Sequence, residues 1–313
     1  MQWGHIKTLF ILSFLILNIY LVFQFVHKQQ DADLGIIFSQ ETTIEDQLEA
    51  DNISLPELDT NVKEETYILT SERVFDEKEL EKIQNKDGQQ TAVINGNSIV
   101  SQLDDPIPIP KNATKQEISD LVKGQIFFPD EFVYWDWYKD LNVLIFFQQI
   151  EGRTVYYNEH GPGLLLVYLN DKNEITHYTE TLLSKTDAQG SGSKPLIQQM
   201  QAIEALYNSN DLHPNDKVTK IELGYYSRLI EEGEQVFAPT WNVTVNGGER
   251  NYFINAIEGF TFSSFDKTFL NTMIEDNIYK IHSLDDKDEK KFEPFLDLLN
   301  KKQQFKNRSE IEK

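Results

Sequence analysis

Nineteen consecutive residues near the N-terminus, Thr8 to Val26 (TLFILSFLILNIYLVFQFV), contain no charged side chain. As a helix rising about 1.5 Å per residue they span roughly 28 Å, close to the ~30 Å hydrocarbon core of a bilayer. A cleaved leader has an apolar core of only about 7–15 residues and a small-x-small cleavage site. Here the run is longer, and His27-Lys28-Gln29-Gln30 follows it. It therefore reads as an uncleaved signal anchor, with a cytoplasmic head over 1–7, a transmembrane helix over 8–27 and the rest extracytoplasmic. Lys7 and Lys28 flank the run and nearly cancel as orientation signals, so this sidedness rests on the shortness of the head. So short a head cannot form a pocket. Any inward signal is carried by another protein, and the helix becomes an expected interface. Asn18 falls near the bilayer midplane, with Phe14, Leu21 and Phe25 on its face at helical spacing. An amide in hydrocarbon gains about 0.6–2 kcal/mol from a partner helix. No small-xxx-small motif supports a close homodimer.

Beyond the anchor the chain is acidic, and composition bounds what it can do. A net charge of −22 excludes a general nucleic-acid binder. The absence of Cys removes disulfides, thiolate zinc sites and thiol nucleophiles together. Residues 28–60 read as a stalk, partly helical around Ile44, Leu48 and Ile53. A first α+β module is expected over 61–188, a second over 189–280, and a charged helical tail over 281–313, packing Phe292, Phe295 and Leu299. In the first module Asp76 to Gln84 reads as a short helix. Thr91–Ile94 and Ser98–Val100 form a hairpin across Asn95-Gly96-Asn97. Asp105 to Pro110 alternates prolines and reads as a connector rather than helix or central strand. Thr114-Lys115-Gln116-Glu117 is a capping box, starting a helix with Ile118, Leu121 and Val122 inward. A meander follows from Phe132 to Leu182. Gln189–Ser193 is a flexible break. The second helix, from Pro195 to about Asn208, carries Leu196, Met200, Ile203 and Tyr207. Its meander joins Trp241/Val243/Val245 to Tyr252/Ile254/Ala256 across Asn246–Glu249. The fold class is thus α+β: a transmembrane helix, then two helix-plus-antiparallel-sheet modules, each covering one sheet face with its helix.

The chain carries no G-x-S-x-G, H-E-x-x-H, P-loop or G-x-G-x-x-G. Its six His stand at 5, 27, 160, 177, 213 and 282, none at ligand spacing from a second candidate, so no metal site is expected. Glu159-His160 in the Asn158–Gly163 loop has acid–base residue types, but joining two strands it reads as a hairpin loop. Asp285–Glu289 lacks the glycine and closing Glu of a calcium loop and reads as a solvated turn. No catalytic, cofactor-binding or metal-binding residue is assigned and no cofactor is expected. Trp135 and Trp137, in the aromatic run Phe132–Tyr138, and Trp241 are the residues for a protein-docking surface.

The start, Met1-Gln2-Trp3-Gly4 through Lys7-Thr8 and then Ile11 to Leu21, resembles the YycI (WalI) proteins of low-GC Gram-positive bacteria. Phe127-Phe128-Pro129, Asn158-Glu159-His160 and Gly161-Pro162-Gly163-Leu164 resemble that family too, over nearly the whole chain. Thr240–Val243 with Tyr252–Gly259 is similar to the closing hairpin of PepSY-type modules. The resemblance implies a PepSY-like or YycH-like outer domain on a single-pass anchor. Its implied partners are YycH (WalH) and the sensor histidine kinase YycG (WalK), in the YycG/YycF (WalK/WalR) two-component system that controls cell-wall metabolism. It implies no catalytic residues. The expected function is non-catalytic regulation of that kinase through transmembrane helix contacts. The alternative is a PepSY-type ligand-binding or protease-inhibitory module acting through its soluble part, marked by a deep pocket or groove around Trp241 and Trp135.

Overall fold

The structure, a computed structural model, describes residue 7 and residues 10–22, 43–61, 63–157, 162–186, 192–231, 234–262 and 267–311. Residues 10–22 are helical, and their large apolar side chains are 50% to 67% exposed. No helix among the described residues is long and apolar enough to cross a membrane.

The chain divides into two compact units. The smaller runs to Ser54 and includes His213–Asn215. Its helix α1 (Ile44–Ala50) lies within the expected stalk and is started by a capping box between Thr43 and Asp46. Asn215 donates its backbone N–H to Asp51 (2.8 Å) and accepts from the Asn52 amide (2.8 Å).

The larger unit contains β1 (Glu64–Glu65), β2 (Ile68–Glu72), α2 (Glu77–Gln84), β3 (Gln89–Ile94), β4 (Ser98–Pro108), α3 (Lys115–Lys123), β5 (Phe132–Tyr138), β6 (Val143–Ile150), β7 (Arg153–Tyr156), β8 (Leu164–Leu169), β9 (Glu174–Thr181), β10 (Leu183–Thr186) and β11 (Lys194–Pro195). It continues through α4 (Gln199–Asn208), β12 (Val218–Glu231), β13 (Glu234–Val245), β14 (Arg250–Asn255), β15 (Thr261–Phe262), α5 (Lys267–His282), α6 (Asp286–Lys291) and α7 (Glu293–Ile311). Thirteen strands join in the order β10-β2-β13-β12-β7-β6-β8-β9-β4-β3, with β14 and β15 branching from β13 and β5 from β6. All these pairings are antiparallel except β7–β12, which is parallel through Tyr225↔Val155 and Tyr226↔Tyr156.

The runs of β6 (VLIFFQQI) and β8 (LLLVYL) are apolar almost throughout, the mark of strands covered on both faces. One face, with Leu144, Phe146, Leu165 and Val167, packs under Ile83 of α2 and Ile118 and Val122 of α3. The other, with Val143, Ile145, Phe147 and Leu166, packs under Leu270 and Ile274 of α5 and Phe295 and Leu299 of α7. Helices therefore lie on both faces, where the helix-then-meander pattern gave each sheet one covered face. The helix α5 is a further finding, and Asp285 caps α6 instead of sitting in a solvated turn. The expected connector from Asp105 is in part strand: β4 continues to Pro108. Its partner β3 stops opposite Leu103, so Pro106 and Pro108 fall where β4 pairs with β9 alone, and their missing amides cost no second ladder.

The last helix is tied down at Lys302. The residue is 6% exposed, and its ammonium donates to the carbonyls of Leu141 (2.7 Å), Asn142 (3.3 Å) and Leu169 (2.9 Å). Lys302→Met keeps the apolar stem and leaves these acceptors without that donor, so it is expected to cost about 1–3 kcal/mol. A lower urea midpoint checks this; an unchanged one would mean the tail packs through Phe292, Phe295 and Leu299 alone.

Candidate functional site

The face of β12, β13 and β14 carries two polar rows set by register. Lys220, Thr244 and Asn251 lie side by side, as do Glu222 and Asn242. Thr154 and Tyr156 of β7 continue this floor, and β5 stands as a wall beside it, enclosing a groove of about 500 Å³. The turn at Asn246–Gly248 closes the β13–β14 hairpin with Gly247 and Gly248 at φ 72° and 108°, the backbone region that favours glycine.

Behind the groove lies an aromatic cluster. The Trp135 ring sits 5.4 Å from Phe147, 5.4 Å from Tyr156 and 6.2 Å from Phe253, and its indole N–H donates to Tyr157 (2.7 Å). Burial pushes the Tyr156 phenol up to about 12, so it stays protonated at neutral pH. Its hydroxyl lies 3.4 Å from the Asn242 side-chain amide. Asn242 is 1% exposed, and its Oδ1 has no hydrogen-bond partner among the described residues. Lys115, Lys220, Asp136 and Glu222 all line the groove, and Lys220 pairs with Glu222 on the same strand at 2.7 Å, so the groove is electrically balanced on an acidic chain.

Among the described residues no His, Ser or Cys lines this groove. Among the described residues no group of three or more His, Asp or Glu is placed to hold a metal. The arrangement suits holding a ligand through hydrogen bonds and an aromatic backing.

The three tryptophans are not brought together. A register shift between Tyr134 and Asp136 makes Trp135 a bulge residue, so Trp135 and Trp137, two positions apart, turn to opposite faces. Trp137 donates to Asn142 (2.9 Å) beneath Lys139. Trp241 is 4% exposed, donating to the Ile197 carbonyl (3.0 Å), so its ring packs inside rather than presenting a surface. The groove expected around Trp241 and Trp135 therefore lies at Trp135, with Asn242 as its inner residue. Of the proposed helix interface, Phe14, Asn18 and Leu21 are helical and exposed, and Phe25 lies outside the described residues. So do Glu159, His160 and residues 189–191 of the break. Asn242 was missed because, between Trp241 and Val243, it reads as the outward polar residue of an alternating strand. In the fold it lies beside Tyr156 of β7, a strand far off in sequence, and is buried.

Fold and groove together define an α+β domain with a polar, aromatic-backed groove on its sheet. A family model described as YycI protein matches residues 32–257, and the chain belongs to the YycI family. The family is regulatory and non-catalytic, and membership supports a role in two-component regulation. Among solved structures, a protein of Eubacterium rectale ATCC 33656 is similar at 13% identity, covering 69% of this chain and 92% of its own, with TM-score 0.41. The Bacillus megaterium YpeB C-terminal domain is similar at 16% identity over 62% and 98%, TM-score 0.35. YycH from Bacillus subtilis is similar at 16% over 49% and 38%, TM-score 0.30. No curated protein matches the chain.

Proposed function

We propose that this protein is a single-pass, membrane-anchored regulator that adjusts a sensor histidine kinase of the YycG (WalK) kind together with a YycH-like partner. In this reading the head over 1–7 is cytoplasmic, residues 8–27 span the membrane, and the remainder is extracytoplasmic. The anchor face of Phe14, Asn18, Leu21 and Phe25 meets partner helices. The observation that carries the reading is the helix over 10–22, whose apolar side chains are exposed throughout its described length. Family membership supports the regulatory role.

Such a regulator needs only to bind two kinase states unequally. A difference of about 1–3 kcal/mol changes activity roughly five- to 150-fold. Replacing residues 8–26 by an unrelated apolar span of equal length is expected to abolish the effect on kinase phosphorylation in membranes while the outer domain stays folded. Full retention of regulation by that chimera would remove the intramembrane mechanism.

A further inference from the structure

We infer that the groove between β5 and the β12–β14 face is a binding site for an extended polypeptide segment of about four residues and low net charge, added along the free edge of β5. Among the described residues β5 pairs with β6 alone, so its outer edge offers unpaired N–H and C=O groups. Four successive residues, Val133, Tyr134, Trp135 and Asp136, line the groove. The bulge lets Trp135 and Asp136 share a face with Val133, but Tyr134 borders the groove although its ring packs on the opposite face against Phe146 (5.3 Å), so here the backbone of β5 itself faces the groove. The β13 floor contributes alternate residues, Asn242 and Thr244, as a sheet face does. An edge beside a face is the geometry of strand addition, in which main-chain bonds hold the guest and the facing side chains select it.

The occupant's chemistry follows from three features. Asn242 Oδ1, buried and unpartnered, calls for an N–H or O–H donor from the guest, since an orphaned buried acceptor is costly. The balanced lysines and carboxylates favour neither a strongly basic nor a strongly acidic segment. At Gly247 and Gly248 no heavy atom lies within 4 Å of where a Cβ would stand, so this end is open and a chain can run on past it. Four residues at about 3.3 Å each match the four edge positions of β5. The bulge at Trp135 interrupts the ladder and keeps the added strand short. A saccharide could satisfy Asn242 but not a succession of backbone donors and acceptors at strand spacing.

The test uses the full chain in nanodiscs and a library of random unphosphorylated heptapeptides as probe, with chito-oligosaccharides in parallel. Selected peptides are expected to slow amide exchange across 133–136, and Asn242→Leu, of similar volume, to weaken them tenfold or more. The exchange measurement on the unaltered chain stands even where that variant folds poorly. Peptides that leave 133–136 unprotected, a selection yielding no binder, or protection there by the oligosaccharides instead would each overturn the assignment.

Discussion

Gly224→Val is expected to lower stability by about 3 kcal/mol or more, because it drives two packed strands apart. A Cβ at this position would stand 2.4 Å from Cε2 of Tyr156 and 2.5 Å from the Thr154 carbonyl oxygen. The carbonyl is backbone and cannot rotate aside. The Tyr156 ring is held by Trp135 at 5.4 Å, Phe147 at 5.9 Å and Phe253 at 4.9 Å. Relief therefore has to come from separating β7 from β12. These strands share only the pairs Tyr225↔Val155 and Tyr226↔Tyr156, yet they join β6 and its neighbours to β13 and its neighbours. Gly192→Ala is the control, since nothing lies within 4 Å of a Cβ there. Urea denaturation of the two variants reads the difference. If Gly224→Val melts with the parent, the β7–β12 contact is not the tight junction described.

That junction also shows where sequence reasoning stops. Local signals were legible: Thr114 and Glu117 form both bonds of the capping box, and Asn95 and Gly96 turn β3 into β4. The pairing of Trp241 and Val243 with Ile254 and Tyr252 follows the alternation of the two runs. The second helix was legible in existence but not in its start. Pro195 pairs with Glu64, and the helix begins at Gln199 with Ala202, Ile203 and Leu206 inward. The helix α5 was missed although Leu270, Met273, Ile274 and Ile281 are spaced for one face. Its inward row includes Asn277, which donates to Tyr168 (2.8 Å) and Thr179 (3.3 Å), so the apolar stripe is broken by a residue that is polar but satisfied. The groove was less legible still. Its wall and floor come from residues about a hundred positions apart, and the parallel β7–β12 contact that joins them spans two pairs without a motif. Buried polar groups mislead for the same reason: Asn242 and Glu180 look like surface until distant elements close over them.

Glu180 supports the second large expectation, a pH dependence that Glu180→Gln removes. Its carboxylate, 0% exposed on β9, accepts from the backbone N–H groups of Phe127 (3.2 Å) and Phe128 (3.0 Å). Lys86, which donates to the carbonyls of Gln125 and Ile126, and Arg73, stacked over Phe128, supply the nearby positive charge. Burial outweighs all of these and pushes the carboxyl from its ordinary 4.5 up to about 7. The native state then holds this proton more tightly than the unfolded chain does. Its contribution to stability is complete below pH 4.5 and is lost as pH rises through 7, by about 3 kcal/mol at most. His177 acts in the opposite direction. Stacked on Phe295 and buried, its imidazole falls from 6.5 to about 3, so its contribution rises with pH between those values. Between pH 4.5 and 6.5 the two slopes oppose each other, and the parent protein alone reveals neither. The difference in unfolding free energy between parent and Glu180→Gln cancels His177. That difference is expected to move in favour of the glutamine variant from pH 4.5 to 8, by an amount on the order of 1–3 kcal/mol. At the acid end the variant should be slightly the weaker, because its single carbonyl oxygen replaces two acceptors for the amides of Phe127 and Phe128. A difference constant across that range would mean that Glu180 titrates in the folded protein as it does in the unfolded chain, and that its two amide donors and the charges of Lys86 and Arg73 offset its burial in full.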